Sequence, residues 1–295
     1  MWNRIVITGA AGQLGRALVA ASAGGSREVL ALNSAQWDIT DRAAAPALYS
    51  GDIVINCAAY TNVDAAESDP TATYAVNATG AANVASACAA AGAGLIHIST
   101  DYVFSGVFVP PFADAPRPYE PDDPTGPLNV YGKSKLAGEV AVLTAAPDAT
   151  VVRTSWLFTG GSGDDFVAVM ARKAHARQPV EVIADQTGSP TYTADLVGAL
   201  LQIVTAGGLG APILHAANAG AASRYEQARA VFEGVGADPE LVRPVAGGGP
   251  GRPAPRPRYS VLGSRLSAAA GLTPLRSWRD ALAEALHCGR LPSTP

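Results

Sequence analysis

The chain has 295 residues, 48% of them apolar, which is enough for a substantial core in one large or two small domains. A formal net charge of −4 gives no bulk attraction to nucleic acid or anionic membranes, and neither is expected as a partner. Cys57, Cys88 and Cys288 are odd in number and lack C-x-x-C spacing, which argues against a disulfide framework or a zinc site. At the N-terminus, Met1-Trp2-Asn3-Arg4 leads straight into a strand-like run, so no secretory leader is expected. The Ala-rich runs are amphipathic or broken by Gly, so no membrane span is expected either, and the reading is a soluble cytoplasmic protein.

Strands are predicted at Arg4–Thr8, Glu28–Leu32, Ile53–Cys57, Leu95–Ser99 and Val151–Ser155. Helices are predicted between them at Gln13–Ser22, Thr73–Ala91 and Tyr131–Ala145. Near-continuous apolar strands mean burial on both faces, so the alternation gives a doubly wound, Rossmann-type α/β fold with a parallel sheet. The first strand ends in Gly9-Ala10-Ala11-Gly12-Gln13-Leu14-Gly15, a G-x-x-G-x-x-G turn opening a helix. Gly lets the backbone approach a diphosphate, and the helix N-terminus offers free N–H groups, so this turn is a dinucleotide-binding candidate.

The second strand ends at Asn33-Ser34, without the carboxylate that would bind a ribose 2′-OH and repel a 2′-phosphate. This favours NADPH mildly, and because no Arg sits beside it, NADH is possible too. Asp38, followed by Ile39, has two readings of equal weight: contact with the adenine edge, or a helix cap. Beyond the third strand, the small residues Ala58 and Ala59, with Tyr60, allow close approach of the cofactor.

After about residue 157 the pattern changes. A Gly-rich turn at 160–163 precedes a helix at Phe166–Ala176, a strand at Val180–Ile183, a helix at 195–204 and a strand at Ile213–Ala217. The expected organisation is a dinucleotide-binding domain over 1–157, with part of 190–220 able to pack back onto it. A smaller α/β substrate-binding portion is expected over 158–295. The Gly-, Pro- and Arg-rich segment Gly247–Pro257 reads either as a solvated loop or as a functional one.

Tyr131-Gly132-Lys133-Ser134-Lys135 contains Y-x-x-x-K, whose ends share one helix face. With nine Tyr and three Lys in the chain, a chance match is expected about 0.1 times. A cation beside the phenol is expected to lower its pKa from about 10 and make Tyr131 a usable acid or base. Upstream, Ser99-Thr100-Asp101 stands at the end of the fourth strand, where open α/β sheets bind ligands. A hydroxyl there can hold a substrate carbonyl together with Tyr131, or simply cap the strand end.

Together these motifs resemble the extended short-chain dehydrogenase/reductases. The match narrows to the dTDP-4-dehydrorhamnose reductases through Asn56–Asp64 with Glu67, Ser99–Phe104, Leu128–Glu139, Arg153–Trp156, Asp185–Thr191 and Arg256-Pro257 with Ser260. The resemblance runs from about residue 4 to 285. It implies hydride transfer from a nicotinamide to C4 of dTDP-4-dehydro-L-rhamnose. Thr100 and Tyr131 would hold the C4 oxygen, Tyr131 would give the proton, and Lys135 would hold the nicotinamide ribose. Asp101 and Trp156 would face the sugar, Gly12, Gln13 and Leu14 the diphosphate of the cofactor, and Ala59 and Tyr60 the cofactor further along.

One departure from the family is Arg16-Ala17, where magnesium-bridged dimers carry a Glu, so a monomer or weak homodimer without metal is expected. A dTDP-sugar needs cations or N–H donors for its diphosphate, and with only three Lys the charge must come from Arg. Arg256 is the candidate, between Pro255 and Pro257. Nucleotide-sugar epimerases and dehydratases share the fold and the Tyr/Lys pair. A dehydratase, however, usually has an acid where Tyr102 follows Asp101. The regulatory subunit of methionine adenosyltransferase resembles the same reductases without catalysing the reaction.

Overall fold

The β-branched, apolar run Ile5-Val6-Ile7 is buried on both faces and forms the centre of β1 (Arg4–Thr8). β1 leads into α1 (Gln13–Ser22) and β2 (Glu28–Leu32). After β3 (Asp52–Asn56) come α2 (Val63–Ser68), α3 (Pro70–Tyr74), a π-helical segment (Ala75–Gly80) and α4 (Ala81–Ala91). β4 (Gly94–Thr100), α5 (Val130–Ala145) and β5 (Thr150–Thr154) complete the first half. The second half runs through β6 (Leu157–Phe158), α6 (Phe166–His175), β7 (Val180–Ile183), β8 (Thr187–Gly188), β9 (Thr191–Tyr192) and α7 (Thr193–Ala206). It ends with β10 (Ile213–His215), β11 (Ala222–Ser223), α8 (Arg224–Gly234), β12 (Val242–Val245), α9 (Arg265–Ala269) and α10 (Trp278–Cys288). The computed structural model describes residues 2–108, 116–160, 163–247 and 252–288. Positions 161–162 of the Gly-rich turn and 248–251 of the Gly/Pro/Arg-rich segment lie outside the described residues.

Six parallel strands form one sheet in the order β10-β5-β4-β3-β1-β2. The chain leaves β1 to one side for β2 and to the other for β3, so the order reverses at the carboxyl ends of β1 and β3, where such sheets bind ligands. Leu14 and Leu18 of α1 and Leu196, Leu200 and Ile203 of α7 cover one face of the sheet. Val84, Ala85 and Cys88 of α4 and Val142 of α5 cover the other. A separate core joins α6, α8, α10, β7 and β12 through Met170, Phe232, Val242 and Leu282. Among the described residues no helix is long and apolar enough to cross a membrane.

The helix expected over Thr73–Ala91 is interrupted. The π-helical turn at Ala75–Gly80 aims Asn77 inward, where Oδ1 accepts from Tyr60 N at 2.8 Å and Nδ2 donates to Tyr60 O at 3.0 Å and Ser134 Oγ at 2.9 Å. Gly138 of α5 lets this segment pack closely, since a Cβ there would stand 2.1 Å from Asn77 O. The strand expected to end at Ser155 stops at Thr154, because Trp156 turns the chain with φ 48°.

Candidate active site

The Gly-rich turn is shaped by close approach. Gly9 adopts φ +61°, and a Cβ on it would lie 2.7 Å from Ala58 N at the end of β3. A Cβ on Gly15 would lie 2.4 Å from Gly9 O. Gly12 precedes α1 with no side-chain cap, leaving the N–H groups of the first turn and the positive end of the helix open. These residues wall one end of a cavity of about 500 Å³. The cavity runs past Gln13, Leu14, Ala59 and Lys135 to Tyr131 and Thr100, and ends at Asp101, Trp156 and Arg224. An open helix N-terminus behind a turn wound too tightly for side chains at Gly9 and Gly15 fits the diphosphate of a dinucleotide.

The other cofactor candidates lie off this cavity. Asn33 Oδ1 accepts from Ala35 N at 2.9 Å and Gln36 N at 3.2 Å, forming a turn in which Ser34 is exposed. Asp38 caps locally, on a turn rather than a helix. Its Oδ1 accepts from Thr40 N at 2.9 Å and Thr40 Oγ1 at 2.7 Å, which holds the carboxyl below its usual pKa. Ile39 is a core side chain packed beneath Gly80, and its carbonyl accepts from Asn83 Nδ2 at 2.9 Å. Ala58 N–H points inward, to Asn56 Oδ1 at 3.2 Å. The backbone of Tyr60 is pinned by Asn77.

The reactive side chains meet where β4 ends against the start of α5. Asn129 caps α5, its Oδ1 accepting from Gly132 N at 2.7 Å. Gly132 permits the contact, because a Cβ there would lie 2.2 Å from Tyr102 O. Tyr131 thereby stands beside Thr100 and edge-on to Tyr102, with ring centroids 5.9 Å apart. Thr100 Oγ1 donates to Asp101 Oδ1 at 3.1 Å and accepts from Tyr102 N at 3.2 Å. Ser260 Oγ donates to Asp101 Oδ2 at 2.5 Å. Burial raises Asp101 to a pKa of about 6, with the Ser260 and Thr100 hydroxyls pulling the other way.

The expected lowering of the Tyr131 pKa by Lys135 does not occur in the free protein. Burial pushes the phenol well above its usual value, with Thr100 opposing and the Asp101 charge adding to the rise. Lys135 Nζ turns instead to Ile98 O at 2.7 Å and His97 Nε2 at 3.3 Å, and burial brings its own pKa down to about 8. Ser99, the neighbouring candidate hydroxyl, donates to Glu139 Oε1 at 2.5 Å and serves a buried ion pair.

At the far end, Trp156 is a non-Gly residue in the left-handed region, a strained conformation of the kind that clusters at functional sites. Gly188 makes room for its indole, since a Cβ there would lie 2.6 Å from the ring, and the buried indole N–H has no hydrogen-bond partner among the described residues. The Arg224 guanidinium stacks 3.6 Å over this ring and donates to Gln227 Oε1 at 3.1 Å. No described carboxylate forms an ion pair with it, and burial lowers its pKa to about 10. Arg256 is placed differently. It forms a bidentate pair with Asp64 at 2.9 and 2.7 Å and lines a separate crevice with Arg252 and Arg258. The arginine that reaches the cavity is therefore Arg224, which sequence reasoning missed. The capping box Ser223…Glu226 marks the start of α8 but not what that start faces.

Residues 3–290 match the family described as the RmlD substrate binding domain. The chain belongs to this family. It is 59% identical over 303 residues to the dTDP-4-dehydrorhamnose reductase of Mycolicibacterium smegmatis, covering 100% of this chain and 90% of that one. Identity to the Mycobacterium tuberculosis protein of the same name is 59% over 301 residues, covering 99% and 98%. The structure of Bacillus anthracis dTDP-4-dehydrorhamnose reductase in complex with NADP matches with a TM-score of 0.87 at 35% identity, over 97% of this chain and 99% of that one. RmlD membership agrees with the resemblance drawn from the Ser99–Phe104 and Leu128–Glu139 motifs and with the doubly wound fold.

Proposed function

We propose that this chain is an NAD(P)H-dependent oxidoreductase that reduces the C4 keto group of dTDP-4-dehydro-L-rhamnose to give dTDP-L-rhamnose. One observation carries the reading: a single cavity joins an open helix N-terminus to Thr100, Tyr131 and Lys135 and then to Trp156 and Arg224. Bound NADPH supplies the hydride delivered to C4. Gly9, Gly12, Gln13, Leu14 and Gly15 hold the cofactor diphosphate, Ala59 lies along its course, and Lys135 holds the nicotinamide ribose. The Thr100 hydroxyl donates a hydrogen bond to the C4 oxygen, and Tyr131 gives that oxygen its proton. A raised phenol pKa supports this direction, because Tyr131 then stays protonated through the neutral range. Asp101 and Trp156 face the sugar.

Residues 1–157, with α7 and β10, make the cofactor portion, and the rest of 158–295 makes the substrate portion. The separate core of α6, α8 and α10 supports that division. The protein works in the cytoplasm as a monomer or weak homodimer, without nucleic acid or membrane, consistent with a net charge of −4. Cofactor consumption with dTDP-4-dehydrorhamnose tests the whole reading, and absence of turnover with either nicotinamide cofactor overturns it.

Two variants sharpen it. Asn33 offers no carboxylate to repel a 2′-phosphate, so NADPH is used at least as well as NADH, and Asn33→Asp shifts the ratio of kcat/KM values toward NADH. A wild type that ignores NADPH removes this reading of the strand end. For the substrate diphosphate, Arg224→Met keeps the packing on Trp156 and removes the donors. The KM for the dTDP-sugar should rise about tenfold or more, the scale of one lost charge-assisted hydrogen bond, with the NADPH KM nearly unchanged. Arg256→Ala should raise the sugar KM less, because Asp64 already holds that guanidinium. The reverse order of effects would place the diphosphate in the Arg256 crevice.

A further inference from the structure

Four buried polar side chains form a line across the sheet, beneath the cavity. Thr8 Oγ1 of β1 donates to Asn56 Oδ1 of β3 at 2.6 Å. Asn56 Nδ2 lies 3.1 Å from His97 Nδ1 of β4, and His97 Nε2 lies 3.3 Å from Lys135 Nζ of α5. All four are at most 2% exposed, and they bond to one another and to the neighbouring backbone at Ala58 and Ile98. One end of the line, Lys135, lines the cavity, and at the other Ala58 N–H, just after β3, donates to Asn56 Oδ1 at 3.2 Å and to Thr8 Oγ1 at 3.4 Å.

Donor and acceptor counting restricts how protons are placed along it. An ammonium has three donors and no acceptor, and a neutral imidazole has one of each. With Asn56 Oδ1 taken by Thr8 and Ala58, its Nδ2 donates to His97 Nδ1. The imidazole proton then sits on Nε2 and faces Nζ, which can accept it only as a neutral amine. If Lys135 is an ammonium, His97 must accept at Nε2 and carry its proton on Nδ1. The Asn56 amide must then turn its oxygen toward His97, and Ala58 N–H loses that partner. The two charge states of Lys135 thus correspond to two settings of one network.

We propose that His97 is a positioning residue for the reductase reaction, which ties the charge of Lys135 to the orientation of Asn56 at the cofactor end of β3 by exchanging its ring tautomer. The proposal rests on the reading of Lys135 as the ribose-holding cation. Burial holds His97 neutral and brings Lys135 to about 8, so the exchange falls in an accessible pH range. Besides His97, the titratable groups acting on Lys135 are Glu139, one turn along α5, and the Cys57 thiol after β3. The charged group acting on His97 is Lys135.

The ring ¹⁵N shifts of His97 in the full-length free protein, followed from pH 6 to 10, provide the test, the range being set around the roughly neutral-to-alkaline titration of a buried Lys. Nδ1 and Nε2 should exchange protonated and unprotonated shifts in one transition, and the ring should never become an imidazolium. Shifts that stay flat overturn the proposal. In His97→Phe, Lys135 loses an acceptor for its ammonium. The alkaline limb of the kcat profile should then move down by roughly one pH unit, with the sugar KM unchanged, and His97→Gln should restore part of it. A profile that superposes on wild type overturns the proposal. If His97→Phe does not fold, the ¹⁵N measurement on wild type decides. Tautomer exchange in a protein that turns over no dTDP-sugar would retire the proposed substrate and leave standing only the coupling of Lys135 charge to Asn56 orientation.

Discussion

Tyr131→Phe is expected to lower kcat by about 10²-fold or more, the scale of general acid catalysis, while NADPH binding is largely kept. The phenylalanine ring retains the edge contact with Tyr102 and the cap of α5, so what is removed is one hydroxyl. That hydroxyl is the donor best placed in the cavity, beside Thr100, whose own proton is directed at Asp101. Its raised pKa means that in wild type the proton is present at neutral pH, ready for a reduction that needs one at the C4 oxygen. Steady-state consumption of NADPH measures the loss, and fluorescence titration with NADPH separates it from binding. Turnover near wild type would take Tyr131 out of the mechanism. A loss confined to KM would make it a binding group.

The parts of this site that were legible in the sequence are those fixed by short-range geometry. Gly9, Gly12 and Gly15 announce a turn because their spacing is local, and the structure needs Gly9 for its contact with Ala58 and Gly15 for its contact with Gly9. Tyr131 and Lys135 share a helix face by the period of the helix alone. β1, α1, β2 and β7 occur where apolar periodicity puts them. What the sequence hid depends on distant partners. Asn77 bends its helix because it binds Tyr60, 17 residues back, and Ser134, 57 residues ahead. Arg256 looked like an anion-binding cation because its flanking prolines are stiff, but Asp64, 192 residues away, holds it. Arg224 reaches the cavity through the placement of α8, which no local pattern encodes. The Tyr131 pKa moves opposite to expectation because burial, a property of the whole fold, raises it, while Lys135 turns to Ile98 O and His97.

Arg153→Met is expected to destabilise the fold by about 3–5 kcal/mol, the usual result of removing one partner from a buried ion pair. Arg153 Nε and Nη2 donate to Glu139 Oε1 and Oε2 at 2.9 and 2.7 Å, and both side chains are 3% exposed. Ser99 Oγ donates to the same carboxylate, and Arg153 Nη1 donates to Pro121 O at 3.1 Å. Methionine fills much of the space over Phe104 that the guanidinium covers. The cost therefore comes from leaving Glu139 charged and desolvated with Ser99 as its remaining side-chain donor. Glu139 lies one helical turn beyond Lys135, and Arg153 and Ser99 sit side by side on β5 and β4, so the pair anchors the catalytic helix to the strand that carries Thr100. Arg153→Met with Glu139→Gln removes the stranded charge and should recover part of the loss. Urea unfolding of the single and double variants measures both terms. A single-variant loss below about 1 kcal/mol, the range of a solvent-exposed pair, would mean that water reaches Glu139, and the anchoring of α5 would then have to come from the packing of Gly138 against Asn77 instead.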